Sequence, residues 1–148
     1  MRFMVIVKED EQSEAGILPP PELFEQMGKY NEELVKAGIM LAGEGLTPSS
    51  EGVRIRFEGD RRTVIDGPFA EAKELVGGFW ILEVKSKDEV IEWVKRAPFD
   101  GGVEIEIRRV AELEDFGDAI PADVAEAERR MREQIEARRA QQAQAQQQ

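Results

Sequence analysis

Gly77-Gly78-Phe79-Trp80-Ile81-Leu82-Glu83-Val84 reads as a strand with apolar side chains on both faces. So does Phe3-Met4-Val5-Ile6-Val7, whose alternate sets are Phe3/Val5/Val7 and Met4/Ile6. Successive side chains of a strand point to opposite faces, so a strand apolar on both belongs inside a sheet. The remaining strand candidates carry a different pattern. Val53-Arg54-Ile55-Arg56-Phe57 alternates cleanly, turns at Glu58-Gly59-Asp60 and returns through Thr63-Val64-Ile65, which reads as a hairpin with one wet face. Val103-Glu104-Ile105-Glu106-Ile107-Arg108 alternates strictly, as a half-exposed edge strand does, and Ile39 to Leu41 is a short strand.

Two helices separate these strands. Pro19-Pro20-Pro21 suits a helix start, because proline is tolerated in the first turn. Leu23, Phe24, Met27, Tyr30, Leu34 and Val35 then recur at helical spacing, and Gly38 is placed to close the helix. Ser86-Lys87-Asp88-Glu89 has capping-box spacing; the helix it opens turns Val90, Ile91, Trp93, Val94 and Ala97 inward and stops at Pro98. The resulting order is β-α-β-β-α-β with an added hairpin, an α+β chain with an antiparallel, ferredoxin-like sheet. In that topology the first and third strands are central, and these are the two that are apolar on both faces.

Two helices cover one face of such a sheet. The other would show Met and Trp side chains to water, and an exposed apolar patch of that kind marks an interface. A second copy packed sheet to sheet is the simplest cover, so a homodimer is expected. The alternative is a carboxy-terminal helix folded back onto the open face.

Composition narrows the chemistry. The 148 residues fit one domain with a short appendage, and such a chain buries roughly 70% of its unfolded surface without metals or disulfides. There is no cysteine, which removes disulfides, thiol nucleophiles and thiolate metal sites. There is no histidine either, which removes imidazole bases, Ser-His-Asp triads and histidine-bearing zinc sites. Acid–base work falls to carboxylates, lysines or the single Tyr30. A net charge of −11 argues against nucleic acid and against an anionic membrane surface. The longest apolar run is far short of the ~20 residues that span a bilayer. Met1 to Val7 enters a strand directly without a cleavage-site pattern, so the expected location is cytoplasmic. No glycine-rich phosphate loop links a strand to a helix, and no cofactor is expected.

The most distinctive stretch runs Thr63-Val64-Ile65-Asp66-Gly67-Pro68-Phe69-Ala70-Glu71-Ala72-Lys73-Glu74-Leu75-Val76-Gly77-Gly78-Phe79. Turn chemistry accounts for its centre: Asp66 accepts backbone N–H groups in an Asx-turn or cap, Gly67 supplies a positive φ, Pro68 fixes its own, and Phe69 anchors. The functional alternative holds Asp66 at the rim of the sheet, facing a pocket, as a partly desolvated catalytic base. Arg54 and Arg56 share one strand face, either as a carboxylate-binding wall or paired with glutamates on a neighbouring strand. Glu71, Lys73 and Glu74 lie within one turn of each other if helical, as part of a pocket or as a solvated cluster. Trp80 is a core residue that can also line a pocket, and Glu44 stands near the same rim.

This stretch closely resembles the signature of the YCII-related family, especially its DGPF branch, in which a strand runs into DGPFAE, a Lys-Glu pair and a Gly-Gly-aromatic strand. The resemblance continues through Leu46-Thr47-Pro48-Ser49, Val53-Arg54, the Ser86-to-Pro98 helix and the final Val-Glu-Ile strand. It implies a ferredoxin-like subunit that pairs into a dimeric α/β barrel. It further implies lyase chemistry of the kind that removes halide from chlorinated rings, with a His–Asp dyad in some relatives. Asp66 matches the aspartate, and the histidine has no counterpart. Association with extracytoplasmic-function sigma factors is the other implication.

Residues 1–111 are thus expected to form the domain, and 112–148 a charged helix with a Gln-rich tail. Asp118 to Arg139 reads as the helix, with Pro121 in its first turn and i,i+4 pairs Glu126–Arg130, Glu128–Arg132 and Arg132–Glu136. Its stripe of Val124, Ala127, Met131 and Ile135 is thin, suited either to a protein partner or to a fraying helix before a disordered Gln tract. Two functions stand side by side: a small-molecule-binding barrel with carboxylate-based lyase or isomerase chemistry on an acidic or aromatic metabolite, and a non-catalytic regulatory module.

Overall fold

The structure is a computed structural model that describes residues 1–147, apart from the side chain of Lys73. Its first strand, β1 (Arg2–Lys8), is the one that every neighbouring strand must accommodate. It pairs antiparallel with β5 (Val76–Glu83) on one side and with β6 (Ile105–Arg109) on the other. β5 pairs in turn with β2 (Met40–Gly45), giving the order β2-β5-β1-β6. The two strands read as apolar on both faces are the two in the centre. With its two sheet-covering helices, this is the ferredoxin-like arrangement.

Val5, Trp80 and Ile107 occupy one row of the sheet in register. That row faces the helices α2 (Pro21–Lys36) and α3 (Lys87–Lys95). Val5, Leu34, Leu82 and Val90 are almost wholly buried there, each worth about 1.5–3 kcal/mol of hydrophobic stabilisation. Pro21 is the first residue of α2, and Gly38 follows its end with φ of +72°, where a side chain would be strained. Tyr30 and Leu34 are the buried face of α2, whereas Phe24 and Val35 of the same periodic set are exposed. Ser86 caps α3 by accepting from Glu89 N–H at 3.1 Å. The return bond of the box goes one residue further back, from Lys85 N–H to Glu89 Oε2 at 2.9 Å.

The hairpin of β3 (Val53–Glu58) and β4 (Arg61–Asp66) forms its own two-stranded sheet. The expectation of one wet face fails here: Val53, Ile55, Phe57 and Val64 are all more than half exposed, because no other layer of the described residues covers them. A short helix α1 (Glu11–Glu14) follows β1, capped by Asp10, which accepts from Ser13 N–H at 2.7 Å.

Two compact units make up the chain, residues 1–110 and 111–148. In the second, a 3₁₀ segment at Leu113–Ala119 precedes α4 (Ala122–Gln146), none of whose residues is buried. Pro121 is its N-cap, and the helix runs on through the Gln tract expected to be disordered, since Ala and Gln are good helix formers. Of the expected i,i+4 pairs, Glu128–Arg132 forms, at 3.8 Å. Among the described residues no helix is long and apolar enough to cross a membrane.

Candidate functional site

β1 and β2 finish, and β5 begins, at one end of the sheet, and a cavity of about 640 Å³ opens there. Ligand pockets commonly have volumes of ~300–1,000 Å³. Its walls are mixed: Trp80, Phe99, Phe24, Met27 and Ile17 give an apolar and aromatic part, and Glu9, Asp10, Glu44 and Asp100 an acidic one. Trp80 is fixed from three sides. Its indole Nε1 donates to Asn31 Oδ1 at 2.9 Å, and its rings meet Tyr30 and Phe99 edge-on, at centroid distances of 5.7 and 6.2 Å. Tyr30 is spent on structure: its hydroxyl donates to the Trp93 carbonyl at 2.8 Å, and burial pushes its pKa to about 12. A phenol so held is no base at neutral pH.

Glu9 is the polar centre of this end. The ladder shifts register between Val7 and Lys8, and Glu9 N–H donates to the Leu75 carbonyl at 2.9 Å, which carries the chain inward past the strand end. The residue is only 8% exposed, and Glu9 is the one buried charged residue among those described. A Cβ on Gly77 would stand 3.0 Å from Glu9 Oε1, so glycine there leaves the carboxyl its place. Burial raises the Glu9 pKa above 4.5. The nearby charges of Glu14 and Asp10 add to the rise, and hydrogen bonds from the Asp10 backbone and Ser13 offset part of it.

A second cavity, of about 410 Å³, lies between the start of the hairpin and the loop before β5, and Glu9 borders this one as well. Ser49 organises it. Its N–H donates to both oxygens of Glu14 at 3.2 Å and its hydroxyl donates to Glu14 Oε1, while its Oγ accepts from Phe69 N–H at 2.9 Å.

The residues singled out from sequence scatter around these cavities. Trp80 and Glu44 line the larger, Arg54 the smaller, and Asp66 and Glu71 neither. Asp66 is exposed at the end of β4, and among the described residues its carboxylate accepts no hydrogen bond. The turn after it is closed instead by Gly67 N–H to the Gly52 carbonyl, 3.0 Å, and by Ser49. Gly67 is not in the positive-φ region; it must be glycine because a Cβ would collide with the Ser49 carbonyl. Arg54 stacks on the Phe69 ring at 3.8 Å, and Arg56 approaches Glu58 of its own strand at 3.8 Å, so neither pairs with a neighbouring strand. Glu71 precedes a 3₁₀ turn at Ala72–Glu74; the Lys73 side chain lies outside the described residues. Glu9 was missed, although the sequence carries its signal: it continues the inward set Phe3, Val5, Val7. Among the described residues, no cluster of three or more carboxylates could hold a metal.

Residues 1–114 match the YCII-related domain. The chain belongs to the YCII-related family. An uncharacterized protein of Rhizobium meliloti (strain 1021) is 27% identical to this YCII-related chain over 73 residues, 49% of the chain. The match spans 59% of that relative's length. Among solved structures, the chain resembles 5-chloro-2-hydroxyhydroquinone dehydrochlorinase from Burkholderia phenoliruptrix AC1100, in complex with 2,5-dihydroxybenzoquinone. The identity is 19% and the TM-score 0.45, with 78% of this chain and 98% of that one covered.

Proposed function

We propose that this YCII-related protein, of the DGPF type by its Asp66-to-Phe69 turn, binds a small ring compound in the larger cavity and that Glu9 moves a proton on it. The supporting observation is a carboxyl buried at the meeting of two cavities with its pKa raised, since a base works best when its pKa approaches the operating pH. Charge narrows the substrate. Among the described residues the larger cavity is lined by Glu9, Asp10, Glu44 and Asp100 against one cation, Lys8, which is already within 3.6 Å of Glu106. An uncharged ring suits such walls better than an acidic one.

The chemistry follows from having one proton carrier. The Glu9 carboxylate takes a proton from a carbon beside a carbonyl, and the C–H electron pair passes into the enolate. Return of that proton to a different carbon is an isomerisation. Departure of a leaving group from the neighbouring carbon, with its bonding pair, is an elimination, after which Glu9 gives its proton to water. The test is a thermal-shift screen of neutral cyclic ketones and phenols, followed by NMR of deuterium uptake from D₂O into the hits. Wild type should bind and exchange them, and Glu9→Gln should bind without exchanging. Equal exchange by both proteins would remove Glu9 from the mechanism.

A homodimer through the sheet face turned away from α2 and α3 is part of this reading, because Met4, Ile6, Phe79 and Ile81, large apolar side chains, lie only half-buried on that face. Sedimentation as a monomer at micromolar concentration would refute it. The regulatory alternative draws on α4, where Val124, Met131 and Ile135 are about half exposed on a 25-residue helix. Deleting residues 118–148 should leave the rest folded and dimeric; a large loss of melting temperature would instead make the tail part of the core.

A further inference from the structure

The smaller cavity has its own charge logic. Arg54 is the only cation among the described residues that line it. Lys8, Arg56, Lys95, Arg108 and Arg132 sit near carboxylates, Arg56 near Glu58 at 3.8 Å and Arg108 near Glu106 at 4.0 Å, whereas Arg54, Arg62 and Arg96 rest on aromatic rings. Among the described residues the Arg54 guanidinium has no such partner. It is nonetheless held in place, 3.8 Å from the centroid of the Phe69 ring. That ring is itself fixed, because Phe69 N–H donates to Ser49 Oγ and Ser49 is gripped by Glu14. A guanidinium resting on a ring keeps its N–H groups for an acceptor in its own plane, and a carboxylate matches that fork with two parallel bonds. The two acidic neighbours compete weakly: Glu14 is engaged by Ser49, and Glu9 is buried where a negative charge is disfavoured.

We propose that Arg54 is the anion-binding residue of the site, holding the carboxylate of a ligand whose uncharged ring occupies the larger cavity on the other side of Glu9. This rests on the ligand-pocket reading above and sharpens it to a class: ring compounds bearing a short carboxylate arm. It also gives the Asp66-Gly67-Pro68-Phe69 turn a purpose that does not involve the aspartate. The turn presents Phe69 as the platform on which Arg54 is preorganised.

The experiment uses the full chain and the probes phenylacetate, 3-phenylpropionate and 4-phenylbutyrate, each against its primary amide, with binding followed by NMR at low salt. One carboxylate should bind at least about tenfold more tightly than its amide, the gain expected of a charge-assisted bidentate pair. Arg54→Gln should bring that carboxylate down to the level of the amide. Arg54→Lys should recover part of the preference, since it restores the charge without the planar fork, and Phe69→Leu should diminish it. Absence of preference in wild type, or a preference that survives Arg54→Gln, overturns the proposal while leaving the ring cavity intact. If neither carboxylates nor amides bind, the ring-cavity reading fails instead. Acetate titrated against the Arg54 Nε–H resonance then decides for the anion site: a saturating shift supports it, and no shift overturns it.

Discussion

Glu9 and Asp66 look interchangeable in the sequence, each an acidic residue just at or beyond the end of a hydrophobic strand. Glu9 ends 8% exposed between two cavities, with its carboxyl held toward the neutral form by burial. Asp66 ends exposed, at the foot of a two-stranded hairpin whose side chains are mostly exposed. The difference lies in the strands that carry them. β1 is hydrogen-bonded on both sides and roofed by helices, so whatever continues its inward set is carried into the interior. β4 has one partner, and its side chains meet water on either face. The place of a strand in the sheet, more than the local motif, decides whether a carboxylate is buried.

The comparison makes the Asp66 turn a matter of backbone, and the largest expected effect tests this. Gly67→Ala would drive a Cβ into the Ser49 carbonyl, and backbone there cannot move aside as a flexible side chain would. A loss of about 3 kcal/mol or more is expected, the upper end of the overpacking range, measured by urea denaturation. A variant of wild-type stability would show that the turn is looser than its contacts imply. Ser49→Ala should come next. It leaves Phe69 N–H without its acceptor and takes one hydrogen bond from Glu14, for a cost of about 1.5–2 kcal/mol. Full retention of stability would mean that water replaces the hydroxyl.

The fold was legible where burial imposed a pattern. Phe3 to Val7 and Gly77 to Val84 are apolar on both faces because sheet and helices require it, and centrality could be read directly from that. Strand ends were less legible. β6 starts at Ile105, since Val103 and Glu104 lie outside the ladder although they continue its alternation. The candidate site was harder to read because its buried carboxylate belongs to no motif. Glu9 stands out only through the parity of three residues before it, and that parity means something only once β1 is known to be central. Asp66 opens a distinctive tetrapeptide, but the contacts that hold the turn come from its glycine and phenylalanine.

The carboxyl of Glu9 provides a third test, with a sign that can be worked out. Its folded pKa is raised above 4.5, so between 4.5 and the folded value the native state holds more of the proton than the unfolded chain does. Stability from this group is therefore fully present below pH 4.5 and is lost as pH rises through the folded pKa. Glu9→Gln removes the buried charge, so the variant should be more stable than wild type at pH 7 and lose that advantage toward pH 4. Chemical denaturation of both proteins across this range measures the gap. A gap that is constant with pH would show that Glu9 titrates like a surface carboxylate, and would dissolve the contrast with Asp66.

The smallest effect is expected at Asp66 itself, and its smallness is the point. With no hydrogen bond among the described residues and no wall of either cavity to form, Asp66→Ala removes a solvated carboxylate and little else. Surface substitutions of this kind stay within about ±0.5 kcal/mol, whereas loss of a capping carboxylate typically costs ~1 kcal/mol. Two variants separate these outcomes. If Asp66 caps the turn in solution, Asp66→Asn, which keeps one acceptor, should be clearly more stable than Asp66→Ala. If the turn is closed by Gly52 and Ser49 alone, as the geometry has it, the two variants should be indistinguishable from each other and from wild type. Activity gives the second axis. On the hits of the ring-compound screen, both variants should exchange deuterium at close to the wild-type rate while Glu9→Gln does not. A stable Asp66→Asn protein that has lost exchange would move the base from Glu9 to Asp66, and with it the chemistry from the centre of the sheet to the hairpin.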